Sequence, residues 1–376
     1  MLLEFHEKRK YGLGEPRFYD TNWCMAFPRS DIQGNKVVVL GGGNGTSRLL
    51  RALSPLLADG SIVSLHALVH MADDGGSTGR LREQYEVGAM GDVTKCLLAL
   101  SSLQGDIRGD KFLKALEYRF ANGDFSGHTL RNVLLTALEL TSDIDAAIAT
   151  FARVLQVPKY AGVIPTSLHA LTQQVVLMHG DEERLLGSGQ HYISWNVNVQ
   201  ENPEWKPGDI RVVFAEQGEA LNPRAKRAID AATHIIIAPG HTYGSILPTL
   251  ASLSLGGASA LAENKAHISA VMTLLTTPLH TVGWSGEDFV RVYESYIGRP
   301  IDLVAANVGR VPAGFVAGQS WVDFTEQNHP YELLLNDVVR IVESKQDPHD
   351  AVPRPVLVHD DQEMQNIFRS YLEKKN

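Results

Sequence analysis

Residues 36–57 read KVVVLGGGNGTSRLLRALSPLL, and this stretch decides the fold class. Lys36–Leu40 is a short β-branched run, which predicts a strand buried on both faces. Gly41-Gly42-Gly43-Asn44-Gly45 makes a turn, and the apolar spacing beyond it predicts a helix from about Thr46 to Leu57. The same order recurs along the chain. Strands are expected over 64–70, 234–238, 266–275 and 301–306, the last closing the series. Helices are expected over 78–85, after Asp92 (VTKCLLALSSL), and over 111–120, 129–140, 144–154 and 287–296. Strands separated by helices give a mostly parallel sheet, so the expected architecture is doubly wound α/β. Ligands of such sheets bind beyond the carboxyl ends of the strands, which is where the glycine-rich turns of this chain fall.

The stretch from about Ile164 to Phe214 reads differently. TSLHALTQQVVLMHGDEERLLGS suggests a hairpin with a Gly-Asp turn, so 164–214 is read as an inserted β excursion. Pro355–His359 and Asp361–Lys374 read as a further strand and closing helix. Residues 1–34 form a polar, aromatic-dotted arm without clear period. The chain has 376 residues, enough for two domains. One α/β domain over 35–376, behind the arm, explains that length better.

Thirty-four basic residues against 43 acidic ones give a net charge of −9. That balance disfavours nucleic acid and anionic membranes as partners, both of which call for a basic face. Cys24 and Cys96 are too few for a disulfide framework, consistent with a reducing cytoplasmic setting. The N-terminal residues carry charges where a signal peptide needs an apolar core, and no apolar run of about 18 residues spans a membrane.

Four loops could carry chemistry. Gly41–Ser47 has glycines that let the backbone approach an anion at a helix N-terminus. It is not a Walker loop, and Thr46 stands where the dinucleotide fingerprint needs a third glycine, which disfavours an NAD-dependent enzyme. Asp73-Asp74-Gly75-Gly76-Ser77-Thr78-Gly79-Arg80 pairs two carboxylates with a density of glycine beyond ordinary turn chemistry, suiting a hard cation or polar ligand. Adjacent residues of an extended backbone point opposite ways, so one of Asp73 and Asp74 is expected to face the ligand. His128, Arg131 and Asn132 share one helix face, as a ligand wall or a polar rim. Pro239–Ser245 follows a buried strand and resembles the first loop in construction; Tyr243 offers a ring for stacking or for packing on its own loop. Gly91-Asp92 reads as a helix cap, Lys95 as a surface lysine, Cys96 as core and Ser285–Asp288 as a capping box. No serine or cysteine nucleophile stands at a matching motif, and no zinc spacing is present.

Together these loops resemble the YvcK/CofD family (UPF0052-type), over about Lys36–Asn307 and again from Pro355 to Tyr371. VVVLGGGNGTSRLLRAL resembles the family's GGGTG strand–loop–helix, and ADDGGSTGRLRE its ADDGGSSGRLR signature. GDVTKCLLAL resembles GDIRNCLVAL, GHTLRNVLLTAL resembles GHSLGNLLLAAL, and APGHTYGSILPTL resembles GPGSLYTSIIPNL. The resemblance implies a Rossmann-like fold with a nucleotide-diphosphate site at these loops. Its CofD branch implies a magnesium-dependent transferase moving a phospholactyl group to a deazaflavin. Its YvcK branch, which the wording here is closer to, implies binding of UDP-activated amino sugars and a role in carbon metabolism and cell shape.

Carried over by position, Gly42, Gly43, Asn44 and Gly45 would cradle phosphate. Asp73 or Asp74 would face Mg2+ or a polar ligand edge, and Asn132, Gly240, Thr242 and Tyr243 would complete the contacts. The chain departs from the family pattern at Asn44 (for Thr), Arg131 and Ala238 (for Gly), His241 (for Ser), Gly244 (for Thr) and Ala89-Met90 (for a proline pair). The expected partner is therefore a nucleotide-diphosphate small molecule, with homo-oligomerisation compatible. No catalytic residue is assigned from sequence.

Overall fold

The computed structural model describes residues 32–180, 182–189, 193, 197–216, 218–312, 319–342 and 357–374. Residues 1–31 of the expected arm, and Pro355 of the expected last strand, lie outside them.

Seven parallel strands form one sheet. They are β1 (Asn35–Leu40), β2 (Ile62–Val69), β3 (Ala161–Pro165), β7 (His234–Ile237), β8 (His267–Val271), β9 (Leu303–Asn307) and β10 (Glu332–Asn336). Their order across the sheet is β10-β9-β8-β7-β1-β2-β3. The chain runs outward from β1 through β2 to β3, then returns to the other side of β1 and runs outward from β7 to β10. The sheet is thus doubly wound, as the sequence implies, and its direction reverses between β1 and β7. A reversal of this kind is where doubly wound sheets form a ligand crevice, beyond the carboxyl ends of the two strands.

Val37–Leu40 and Ile235–Ile237 are almost wholly buried, which is why these strands read as continuous apolar runs and not as alternating ones. Each fully buried aliphatic side chain contributes about 1.5–3 kcal/mol relative to exposure. Helix α1 (Gly43–Ala58) turns Leu49, Leu50, Leu53 and Leu56 inward and packs on α3 (Met90–Ala99) and on the C-terminal helix (Asp361–Lys374). Between α1 and α3 lies α2 (Gly76–Tyr85). Helices α4 (Ile107–Glu117), α5 (Leu130–Thr141) and α6 (Ile144–Val154) lead to β3.

The β excursion is a three-stranded antiparallel sheet: β4 (Gln173–His179), β5 (Glu182–Ser188) and β6 (Ile210–Phe214), with β4 central. The β4–β5 hairpin is the expected one. Ile164 and Pro165, placed in the excursion by sequence, instead end β3 of the main sheet. The completely buried run Ala161–Pro165 does not announce itself because Gly162 and Pro165 interrupt its apolar pattern.

Three further expectations are corrected. Helix α7 (Pro223–Ala231), begun by the Asn222 cap, has no counterpart in the sequence reading; its buried stripe Ala225, Ala228 and Ile229 is mostly alanine and sits among charged residues. Strand β9 does not close the sheet: β10 pairs with it in parallel at the edge, where Glu332–Asn336 is mostly solvent-facing and is a leucine run without β-branched residues. The helix expected over 111–120 begins earlier, at Ile107, because Asp106 accepts hydrogen bonds from the Arg108 and Gly109 amides and starts it. Helix α8 (Leu247–Ser252) follows the loop after β7. The Ser285–Asp288 capping box is present and opens α9 (Gly286–Ile297). Strand β11 (Val339–Ile341) pairs antiparallel with β12 (Leu357–His359), which leads into α10 (Asp361–Lys374). Among the described residues no helix is long and apolar enough to cross a membrane.

Candidate functional site

The turn after β1 is tighter than its sequence suggests: α1 begins at Gly43, inside the glycine run, with Gly42 as its N-cap. Gly42 has no side chain, so no side-chain cap satisfies the first-turn amides of α1. A β-carbon on Gly42 would lie 2.4 Å from Asp92 Oδ2, and one on Gly45 would lie 1.8 Å from the Pro239 carbonyl oxygen. The two glycines are therefore demanded by close approach. Gly45 brings the first loop against Pro239-Gly240, the loop after β7, across the switch point of the sheet. Asn44 is exposed at the mouth of this turn.

In the second loop Thr242 and Tyr243 are both 1% exposed. Thr242 hydrogen-bonds to Tyr293. The Tyr243 ring packs edge-on against Trp284 and His280, and its carbonyl accepts a 2.8 Å bond from Gln173 Nε2. Tyr243 is a core residue, so of the two roles its sequence offers the ring takes packing and not stacking. Thr242–Ile246 is a π-helical turn whose Gly244 amide donates to His241 Nδ1 at 2.8 Å, so His241 serves as its cap. Gly240, half-buried, is the member of this loop that meets Gly45.

The acidic loop divides its two carboxylates, as extended backbone requires. Asp73 Oδ1 accepts from the Gly75 amide at 3.0 Å, and Thr78 donates to the same carboxylate. Asp74 turns the other way, toward Gly189 and a cleft of about 590 Å³ lined by Gly76, Arg80 and Arg82. Arg82 braces the loop, donating to the carbonyls of Asp73 and Leu171, both at 2.9 Å.

The partner of Asp73 is Asp92, which sequence reasoning missed. Asp92 is not a cap: Ala89 occupies that position and Asp92 lies within the first turn of α3, 6% exposed. Its carboxylate borders Gly42 and Gly43, and Lys95 Nζ, half-exposed, donates to it at 3.2 Å. A β-carbon on Gly91 would lie 3.2 Å from Asp73 Oδ2, so the residue before Asp92 touches the Asp73 carboxylate. Burial first, and the Asp92 charge second, lift the Asp73 pKa to about 6. His70 is buried beneath this pair, with Nδ1 accepting from the Ala72 amide at 3.1 Å, and burial holds its pKa at about 4. The sequence signals for Asp92 are the glycine immediately before it and its place in GDVTKCLLAL, one of the stretches that resemble the family pattern.

The donor set suits a divalent cation differently from the expectation. Asp73 and Asp92 crowd their negative charge toward one place, whereas Asp74 faces elsewhere. Among the described residues there is no group of three or more His, Cys, Asp or Glu able to cage a metal. Two carboxylates with phosphate and water oxygens completing the shell is the habit of Mg2+.

A buried polar chain flanks the pair. Ser77 Oγ and His128 Nδ1 are 3.0 Å apart, and Asn132 Nδ2 donates to Ser77 Oγ at 3.2 Å. The Thr94 hydroxyl reaches Asn132 Oδ1 at 3.2 Å and the Gly91 carbonyl at 2.9 Å, and Arg131 Nε donates to Thr94 at 3.2 Å. His128, Arg131 and Asn132 are thus members of one buried polar network held by internal bonds, with both ends of the Asn132 amide engaged. Ser77 escapes sequence reading because its partner lies 51 residues away.

Comparison with known proteins follows the same lines. The family model described as 2-phospho-L-lactate transferase CofD matches residues 37–345. A gluconeogenesis factor of Listeria innocua is 33% identical over 286 residues, covering 74% of this chain and 79% of the relative. A protein of Thermotoga maritima provisionally given the same name is 31% identical over 325 residues, covering 84% and 93%. A Nostoc relative, also provisionally so named, is 33% identical over 269 residues; the match takes in 71% of this chain but about half (53%) of the relative. A crystal structure of a UPF0052-family protein from Bacillus halodurans superposes with a TM-score of 0.72, covering 89% of this chain and 99% of the other at 24% identity, a likeness of fold.

Proposed function

The chain belongs to the CofD family, and from that premise we propose that it binds a nucleoside diphosphate derivative, of the UDP-sugar kind, in the crevice between β1 and β7. One observation carries the reading: a β-carbon on Gly45 would collide with the Pro239 backbone and one on Gly42 with the Asp92 carboxylate, and no side chain caps the first-turn amides of α1. Amides of that kind, at the positive end of a helix dipole, receive phosphate. A protein of net charge −9 can hold a diphosphate this way, because main-chain donors and a bound cation supply the positive charge. Mg2+ on Asp73 and Asp92 would neutralise the diphosphate. In this reading the protein acts in the cytoplasm as a regulator in carbon metabolism or envelope growth, like the gluconeogenesis factors it resembles. Titration calorimetry with UDP-N-acetylglucosamine and other UDP-sugars, with and without Mg2+, tests it: saturable, Mg2+-strengthened binding is expected, and no heat from any of them refutes it.

The Asp73–Asp92 pair favours a second reading, a Mg2+-dependent CofD-like transferase that moves a phospho-acyl group from a nucleotide diphospho-substrate to an acceptor. Mg2+ there would stabilise the charge that develops on a departing nucleoside monophosphate. Phosphorus NMR separates the two readings, since nucleoside monophosphate accumulates only in the second.

A further inference from the structure

Ser77 and His128 stand outside both readings as given, and their geometry is that of a nucleophile and its base. Ser77 is the second residue of α2, 8% exposed, and His128 is 5% exposed on the loop entering α5. Their polar atoms are 3.0 Å apart, within the reach expected of such a pair. With the Asn132 amide oriented as the structure has it, Nδ2 donates to Ser77 Oγ, so the single serine proton is left for His128 Nδ1. The histidine accepts at Nδ1 and carries its own proton on Nε2.

The surroundings favour this state. Arg80 donates to the Ser126 carbonyl at 3.1 Å and Arg119 to the Gly127 carbonyl at 2.9 Å, so two guanidinium groups pin the loop that presents His128. Burial, then Arg80 and Arg119, hold His128 below its ordinary pKa, in the neutral, proton-accepting form. Ser77 lies at the start of a helix with no side-chain cap, where first-turn amides can receive developing negative charge. An unactivated serine is a weak nucleophile, and an adjacent base with a third group orienting the pair is the usual remedy. Here Asn132 is the orienting group, backed by Thr94 and Arg131.

We propose that Ser77, with His128 as its base, takes the phosphoryl centre of the bound nucleoside diphosphate ester as a covalent phosphoserine intermediate. Ser77 Oγ attacks the outer phosphorus while its proton passes to His128 Nδ1 and on to solvent. The bond from that phosphorus to the bridging oxygen breaks, and its electron pair leaves with the nucleoside monophosphate. An incoming hydroxyl, of water or an acceptor alcohol, then attacks the same phosphorus. Its proton goes to His128 and from there to Ser77 Oγ as the serine departs. The inference rests on the reading that the crevice holds a nucleoside diphosphate, but its test does not need that ligand.

The test uses diisopropyl fluorophosphate on the full-length protein. Its phosphorus takes the serine oxygen, fluoride leaves, and the serine proton goes to the base. Peptide mass spectrometry is expected to find the adduct on Ser77 and to lose it in Ser77→Ala. His128→Asn keeps an acceptor for the Ser77 hydrogen bond but removes the base, and should slow labelling by about 10²–10⁴-fold. Melting temperature on the same sample confirms that the variant is folded. An unlabelled Ser77, or wild-type labelling in folded His128→Asn, overturns the proposal. UDP-N-acetylglucosamine binding, measured in parallel, separates the two failures. Binding without a Ser77 adduct overturns the nucleophile alone, and a base-dependent adduct without binding supports the pair while overturning the nucleotide reading.

Discussion

Gly45 and Pro239 come from loops almost 200 residues apart, yet a β-carbon on Gly45 would lie 1.8 Å from the Pro239 carbonyl oxygen. That contact joins the turn after β1 to the turn after β7 at the point where the sheet changes direction. The two loops close on each other because residue 45 has no side chain.

Gly45→Ala is accordingly expected to force the loops apart. The obstacle is backbone, which cannot swing aside, so the cost should be that of overpacking, about 1–3 kcal/mol. A thermal melt should show a fall of several degrees. Nucleotide binding should fall further than stability does, because the α1 amides would lose their alignment. A variant that melts and binds like wild type would show that the close approach is dispensable.

The Asp73 carboxyl should respond to the Asp92 charge beside it. Asp73 has its pKa lifted to about 6, in part by the Asp92 charge, so a cation at the pair must compete with a proton below that pH. Mg2+ affinity is expected to rise with pH through about 6 in wild type. In Asp92→Asn the Asp73 midpoint should move down toward the ordinary carboxylate range, while Mg2+ affinity at neutral pH drops. Asp74→Asn should leave the Asp73 midpoint in place, since Asp74 faces the Arg80 and Arg82 side. Carboxyl titration by NMR checks all three proteins.

Acid should destabilise the protein through its buried histidines. Burial holds His66 at about 3 and His70 and His359 at about 4, against 6.5 for the free side chain. Each binds a proton in the unfolded chain before it can in the folded one, so stability is full above pH 6.5 and declines as pH falls toward 4. The slope is up to about 1.4 kcal/mol per pH unit for each histidine. Asp73, Glu139 and Asp145, all raised by burial, act in the opposite sense, but the lowered histidines, which include His128, His241 and His280 as well, outnumber them. His359, which donates from Nε2 to the Met272 carbonyl at 2.9 Å, is the cleanest to remove: His359→Gln should flatten the pH dependence of the urea midpoint between 6.5 and 4.

Tyr243 separates packing from recognition. Its ring is enclosed by Trp284 and His280, so Tyr243→Ala should cost about 3–5 kcal/mol of stability as other large-to-small core changes do. Tyr243→Phe should bind nucleotide like wild type. A large affinity loss in Tyr243→Phe, without a change in melting temperature, would return the tyrosine to the ligand.

Much of this was legible in the sequence, for reasons that can be named. KVVVL and HIIIA announce strands buried on both faces, and the Gly41–Gly45 and Asp73–Arg80 turns stand out because glycine density marks close backbone approach. What did not show is what depends on long-range contact. Asp92 looks like a helix cap until the fold brings it beside Gly42, and Ser77 looks like an ordinary helix residue until His128 arrives from the next layer. Tyr243 left stacking and packing open because aromatic character carries no direction; the fold, with the residue in a π-helical turn, places it in the core. Strands β3 and β10 escaped because Gly162 and Pro165 flank the apolar pair of the first, and the second is a leucine run without β-branched residues.

The most direct measurement is a crystal structure of the protein soaked with UDP-N-acetylglucosamine and Mg2+, read for the position of the diphosphate. The phosphates are expected over Gly42–Gly45 at the start of α1, with the cation on Asp73 and Asp92. A diphosphate bound instead in the Arg80–Arg82 cleft beside Asp74, with the β1–β7 crevice empty, would contradict the assignment of the crevice as the nucleotide site.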